Sequence, residues 1–137
     1  MYRLARETMF GMDIVRVVPN IQSSQMEASR RFYVDLLGFT VAMDMGFIVT
    51  LASPSHPKAQ ISIVRGEALP AQKNITLSIE VGDVAEIHQR ALDLGLAILY
   101  PLTVEPWGVR RFWVADPDGT VLNIMSHIAP QAEPAKS

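Results

Sequence analysis

Two apolar-rich runs flank Asp116-Pro117-Asp118-Gly119, and no other stretch constrains the fold as strongly. Pro117 presets φ at about −65° for a turn's second position, and Asp118 and Gly119 tolerate the left-handed conformations of a tight reversal. On the incoming run Val109, Arg111, Trp113 and Ala115 share one face, and Arg110, Phe112 and Val114 share the other. On the outgoing run Val121, Asn123 and Met125 lie opposite Leu122, Ile124 and Ser126. Neither run is polar enough on either side to face plain solvent. The stretch reads as a hairpin with two semi-buried faces, one against helices and one lining a cavity.

Ahead of it, residues 1–12 read as an extension. The β-branched run Ile14-Val15-Arg16-Val17-Val18 predicts a first strand over 13–21, ended by Pro19-Asn20. Ser23 or Ser24 is placed to cap a helix over 26–37, which Gly38 stops in the left-handed conformation. Strands follow at about 39–45, 47–52 and 59–65, with Ser53-Pro54-Ser55-His56-Pro57 as a loop and Gly66–Lys73 as a linker. The order then repeats. A strand over 75–81 leads to a helix from Val84 to Leu94, capped by Asp83 and stopped by Gly95, and strands at about 96–104, 109–115 and 120–126. Residues 128–137 read as a disordered tail.

Leu37-Gly38-Phe39 stands 57 residues before Leu94-Gly95-Leu96, and Ala52-Ser53-Pro54-Ser55 stands 63 before Ala115-Asp116-Pro117-Asp118. This is the pattern of a duplicated strand-helix-strand-strand-strand unit. Neither copy can bury a sheet alone, so the two must join. The expected architecture is α+β: two tandem βαβββ units, residues 13–65 and 74–127, joined edge to edge.

Composition narrows the function. At 137 residues the chain is one domain, and a formal charge of −2 with interspersed signs argues against a nucleic-acid surface. Without cysteine there is no disulfide, thiolate nucleophile or zinc-thiolate site. No apolar run approaches the ~20 residues of a membrane helix, and no signal-peptide segment follows the N-terminal arginines, so the expected compartment is the cytoplasm.

The duplicated unit, with Ser29-Arg30-Arg31-Phe32-Tyr33-Val34-Asp35-Leu36-Leu37-Gly38-Phe39 and the run from Pro106-Trp107-Gly108 to Gly119, resembles the vicinal-oxygen-chelate superfamily over residues 13–127. That superfamily includes glyoxalase I, extradiol dioxygenases, and fosfomycin- and bleomycin-resistance proteins. The resemblance implies paired βαβββ units curling into an open eight-stranded barrel-like sheet with helices on its convex side, commonly in a homodimer, and in the enzymes a divalent metal held by His, Gln and Glu. Matched through the motifs, the ligand positions fall at Val18, Thr76 and Asn123. Valine cannot ligate, and neutral Thr and Asn oxygens suit a transition metal poorly. The metal-free, bleomycin-resistance-like branch is therefore the nearer likeness, and no cofactor is expected. Those positions place Arg16, Val18, Asn20, Thr76, Ser78, Glu80, Arg111, Trp113, Val121, Asn123 and Met125 on the concave face. An apolar wall with a few convergent polar groups suits a small organic ligand, an antibiotic or another small organic compound. Trp113, helped by Trp107, would stack on a flat or cationic ligand, and Arg16 or Arg111 would hold a carboxylate or phosphate. The alternative is a metal-dependent lyase, isomerase or dioxygenase with rearranged ligands.

The remaining signals read blandly. His56 is expected to be solvent-exposed, His88 to face outward from its helix and His127 to stand at the cavity rim. Glu80 would serve as a general base only if buried; pairing with Arg16 or Arg111 is the expected arrangement.

Overall fold

The protein, as a computed structural model, is described over residues 16–66 and 75–128. In chain order the elements are β1 (Asn20–Ser23), α1 (Met26–Leu37), β2 (Thr40–Asp44), β3 (Ile48–Ala52), β4 (Gln60–Arg65), β5 (Thr76–Glu80), α2 (Val84–Asp93), β6 (Ile98–Glu105), β7 (Val109–Ala115) and β8 (Val121–His127). The expected extension at 1–12, and nearly all of the expected linker and tail, lie outside the described residues.

Both halves solve the same problem in the same way. One four-stranded sheet runs β1-β4-β3-β2 and the other β5-β8-β7-β6. In each, the first strand pairs in parallel with the last, and the remaining pairs are antiparallel. The βαβββ duplication is thus present, as two open sheets with no closed barrel.

Each helix covers one sheet face. Phe32, Tyr33 and Leu36 of α1 and Val84, Ile87 and Ala91 of α2 belong to one apolar cluster with Ile21, Val49, Leu51, Ile61, Ile63, Phe112, Val114, Leu122 and Ile124. Burying a side chain of this size contributes about 1.5–3 kcal/mol. Gly38 ends α1 at φ 80°, its N–H donating to the Val34 carbonyl, as helix-stop chemistry requires. Asp83 caps α2 by accepting from the Ala85 and Glu86 N–H groups.

The start of the first half differs from expectation. Residues 16–19 are not strand, and β1 begins at Asn20, where the strand was expected to end. Pro19 lacks an N–H and cannot donate to a ladder, but its carbonyl accepts from Ser62 N–H and leads the chain onto β4. Nor does a serine side chain cap α1. Its N-cap is Gln25, with no side-chain cap, and Ser23 Oγ instead accepts from Gln25 N–H just outside the helix.

Candidate functional site

With α2 on one face of the second sheet, the other face is left to side chains that alternate away from the core. Register sets them in two rows. Tyr100, Trp113, Asn123 and Ser78 are successive cross-strand partners, as are Thr103, Arg111, Met125 and Glu80. Phe112, Val114, Leu122 and Ile124, one residue out of phase, are wholly buried under the helix. The alternation predicted from the Asp-Pro-Asp-Gly reversal is the one observed.

The second row is anchored by Arg111. Its Nε–H donates to Glu105 Oε2 at 2.8 Å, and the Tyr100 hydroxyl donates to the same oxygen at 2.6 Å. The guanidinium carbon stands 5.1 Å from the Tyr100 ring centroid and 5.3 Å from those of Trp107 and Trp113, so three aromatic faces surround one cation. The Tyr100 and Trp113 rings lie against each other, centroids 4.8 Å apart and tilted by 31°. The Tyr100 hydrogen bond, opposed by desolvation and joined by Arg111, holds the Glu105 carboxyl below the usual range. Arg111 is raised, first by the hydrogen bond to Glu105 against the cost of desolvation.

The first row contains two unsatisfied atoms. Asn123 Nδ2 donates to Ser78 Oγ at 3.0 Å, yet Asn123 Oδ1 and Trp113 Nε1 are buried with no hydrogen-bond partner. Leaving such a group unpaired costs about 1–3 kcal/mol. Such groups call for a partner from outside the chain, a water or a ligand.

Several expected pairings differ. Glu80 does not pair with an arginine: it meets His127 Nδ1 at 2.9 Å, and both are exposed. Arg111 is taken by Glu105, and Arg16 by Gln60 Oε1 at 2.8 Å. Arg16 precedes β1, and Asn20 pairs with Ser62 in the first sheet, so these two stand apart in the fold from the Trp113 and Arg111 rows. His88 does not face outward freely; its ring packs edge-on to Phe112 at 5.0 Å. Thr76 is exposed at the head of β5. Tyr100 and Glu105 were missed because the β6–β7 register shifts twice between Ile98 and Thr103, which defeats simple alternation.

The three positions that the resemblance assigns to metal ligands do not form a donor set. Val18 offers no donor atom, Thr76 is exposed, and the Asn123 amide is half spent on Ser78. Among the described residues no three His, Asp or Glu side chains are grouped as a metal ion would need.

A second concavity borders the second row at Glu80. A cleft of about 890 Å3 opens between the two halves, bounded by Leu37–Phe39, the loop from Ser53 to Ala59, the end of β5 and the start of α2. Its charged groups are already committed: Asp83 caps α2, Glu86 meets Arg90, and Glu80 meets His127.

The arrangement has known counterparts. The family described as "Glyoxalase-like domain" matches residues 16–129. Among solved structures, a member of the glyoxalase/bleomycin resistance protein/dioxygenase superfamily from Sphaerobacter thermophilus is 23% identical, with a TM-score of 0.72 over 85% of this chain and 99% of that one. A bleomycin-binding protein complexed with bleomycin is 19% identical, TM-score 0.65, covering 83% of this chain and 99% of its own. TioX from Micromonospora sp. is 17% identical, TM-score 0.66, covering 86% and 100%. At these identities the likeness is one of fold. Among curated proteins none matches. No helix among the described residues is long and apolar enough to cross a membrane.

Proposed function

The chain belongs to the glyoxalase-like domain family, and from that premise we propose that it binds a small organic compound, without a metal, on the helix-free face of its second sheet. One observation carries the reading. Trp113 Nε1 and Asn123 Oδ1, cross-strand neighbours on that face, are a donor and an acceptor left unsatisfied beside the aromatic shelf of Tyr100 and Trp113. A small-molecule site consists of just such apolar surface with a few placed polar groups. The bleomycin-bound neighbour gives the fold a precedent for holding an organic ligand, and sequestration of an antibiotic or similar compound is the corresponding role. Metal independence is supported by the donor chemistry of Val18, Thr76 and Asn123.

The test is a thermal-shift screen of planar organic compounds in the presence of EDTA. A ligand at a hundred times its dissociation constant adds about 2.7 kcal/mol, enough to move the melting temperature clearly. Compounds that raise it should bind Trp113→Ala at least about tenfold more weakly while circular dichroism shows an intact fold. Equal affinity for Trp113→Ala would place the site elsewhere, and hits that appear only when EDTA is replaced by a divalent ion would restore metal chemistry.

A further inference from the structure

A ring of three aromatic faces with a carboxylate beneath ordinarily invites a cation. Here the chain has filled that place itself, since Arg111 lies against Tyr100, Trp107 and Trp113 and donates to Glu105. A cationic ligand would have to displace a guanidinium already held by four side chains. It would then face Glu105, which is only 8% exposed, whereas Arg111 is 21% exposed and more accessible from outside.

The hydrogen bonds still unspent point the same way. Of the five guanidinium N–H groups the Nε–H is used by Glu105, and the Tyr100 hydroxyl stands beside the group. Even if that hydroxyl takes one more, at least three donors have no acceptor among the described residues. Trp113 Nε1–H adds another donor, against a single unsatisfied acceptor, Asn123 Oδ1. Within the Arg111–Glu105 pair the cation is therefore the accessible member, and the row's other carboxylate, Glu80, stands two strands away against His127. The Arg111 guanidinium is also pre-oriented by the rings and by Glu105, which lowers the ordering cost of a bidentate contact.

Resting on the reading that this face is the ligand site, we infer that its ligand class is a planar organic oxyanion. A carboxylate or comparable group lies on the Arg111 fork, and the ring system lies along the Trp107–Trp113 side. Asn123 Oδ1 then selects for a hydrogen-bond donor elsewhere on the ligand.

The chain has only two tryptophans, and both belong to this site, so two indole N–H resonances of the 15N-labelled full chain report on it directly. The probes are 2-naphthoate, 2-naphthamide and 2-naphthylmethylammonium, which share a ring system and differ in charge. The naphthoate should shift the Trp113 indole resonance and bind about tenfold more tightly than the amide, with the ammonium weakest. In Arg111→Gln the naphthoate should fall to within about twofold of the amide. The comparison of probes on the unaltered protein needs no variant and stands even if Arg111→Gln fails to fold. Equal affinities, or tightest binding by the ammonium, would overturn the anion inference and leave the ligand face in place. Failure of all three to move either indole resonance would overturn both.

Discussion

The internal repeat builds two equivalent junctions, each a hairpin loop of one half set against the start of the other half's helix, and only one of them is closed. At the closed junction the loop between β7 and β8 lies on the start of α1. Asp118 accepts from Ser23 Oγ at 2.6 Å and Ser29 Oγ at 3.1 Å with one oxygen, and from Ser24 N and Oγ at 2.9 and 2.7 Å with the other. Gln25 Nε2 donates to the Pro117 carbonyl, and the Tyr33 hydroxyl donates to buried Asp116 at 2.7 Å. At the open junction the loop between β3 and β4 faces the start of α2 across the 890 Å3 cleft, and among the described residues the halves are bridged there by a single side-chain bond behind the loop, from Arg90 Nη1 to the Leu36 carbonyl at 3.2 Å. The difference follows from where each helix finds its cap. Asp83 satisfies α2 locally, whereas α1 begins at Gln25 with no side-chain cap and takes a carboxylate from the opposite half. A helix start favours a negative charge, so Asp118 both closes the junction and serves α1. One half is self-contained; the other is completed by its partner.

The largest effect should come from breaking the closed junction. Asp118→Ala leaves Ser24 N–H and three serine hydroxyls without their shared acceptor, although Ser23 and Ser29 retain their mutual bond at 2.7 Å. The expected loss is about 2–3 kcal/mol, read from denaturant midpoints. A loss under about 0.5 kcal/mol would mean that the halves are held by the apolar cluster alone.

Little of that junction was legible beforehand. The hairpin at 116–119, the Gly38 and Asp83 signals and the alternation of β5, β7 and β8 are local patterns, and they placed both helices and most strands within a residue or two. The contacts of Asp118 span 94 residues and have no local signature. The β-branched run at 14–18 misled because apolar, β-branched content marks a strand without fixing where its pairing starts, and the Ser62 bond to Pro19 sets that point. In the site, alternation found Arg111, Trp113 and Asn123. It gave Glu80 as the arginine's partner because the two irregular β6 pairings hid Glu105.

The middle-sized effect is a pH dependence inside the closed junction, where two carboxylates are shifted in opposite directions. Burial lifts Asp116 above the ordinary range, against the Tyr33 hydroxyl and the Thr120 and Asp118 N–H groups that favour its anion. Burial also lifts Asp118, but the Ser23, Ser24 and Ser29 donors outweigh it and the net shift is downward. A raised folded-state pKa means that the Asp116 contribution is fully present below the unfolded value and is lost as pH rises through the folded one. The Asp118 contribution has the opposite sense, present at neutral pH and lost on acidification. Asp116→Asn keeps the shape and removes only the first. Relative to the unaltered protein, that variant should therefore gain stability between pH 3 and pH 7, measured by denaturant titration at each pH. A relative loss over the same interval would show that the Asp116 anion is favoured by the fold.

The smallest effect, and the one that most sharpens the comparison, comes from giving the open junction the residue it lacks. Ser55 occupies the position that the repeat matches to Asp118, so Ser55→Asp restores the carboxylate pattern of the closed side. If the loop alone made the difference, this change would draw the cleft shut and stabilise the protein by a kcal/mol or more. The structure argues otherwise. The N–H groups of Ala85 and Glu86 are already bound by Asp83, and no serines stand where Ser23, Ser24 and Ser29 serve Asp118. Glu80, Asp83 and Glu86 also line the cleft, so an added aspartate meets like charge. Ser55→Asp should accordingly leave the denaturant midpoint within about 0.5 kcal/mol of the original or lower it slightly. Stabilisation beyond about 1 kcal/mol would locate the asymmetry in the loops and not in the way the two helices are capped.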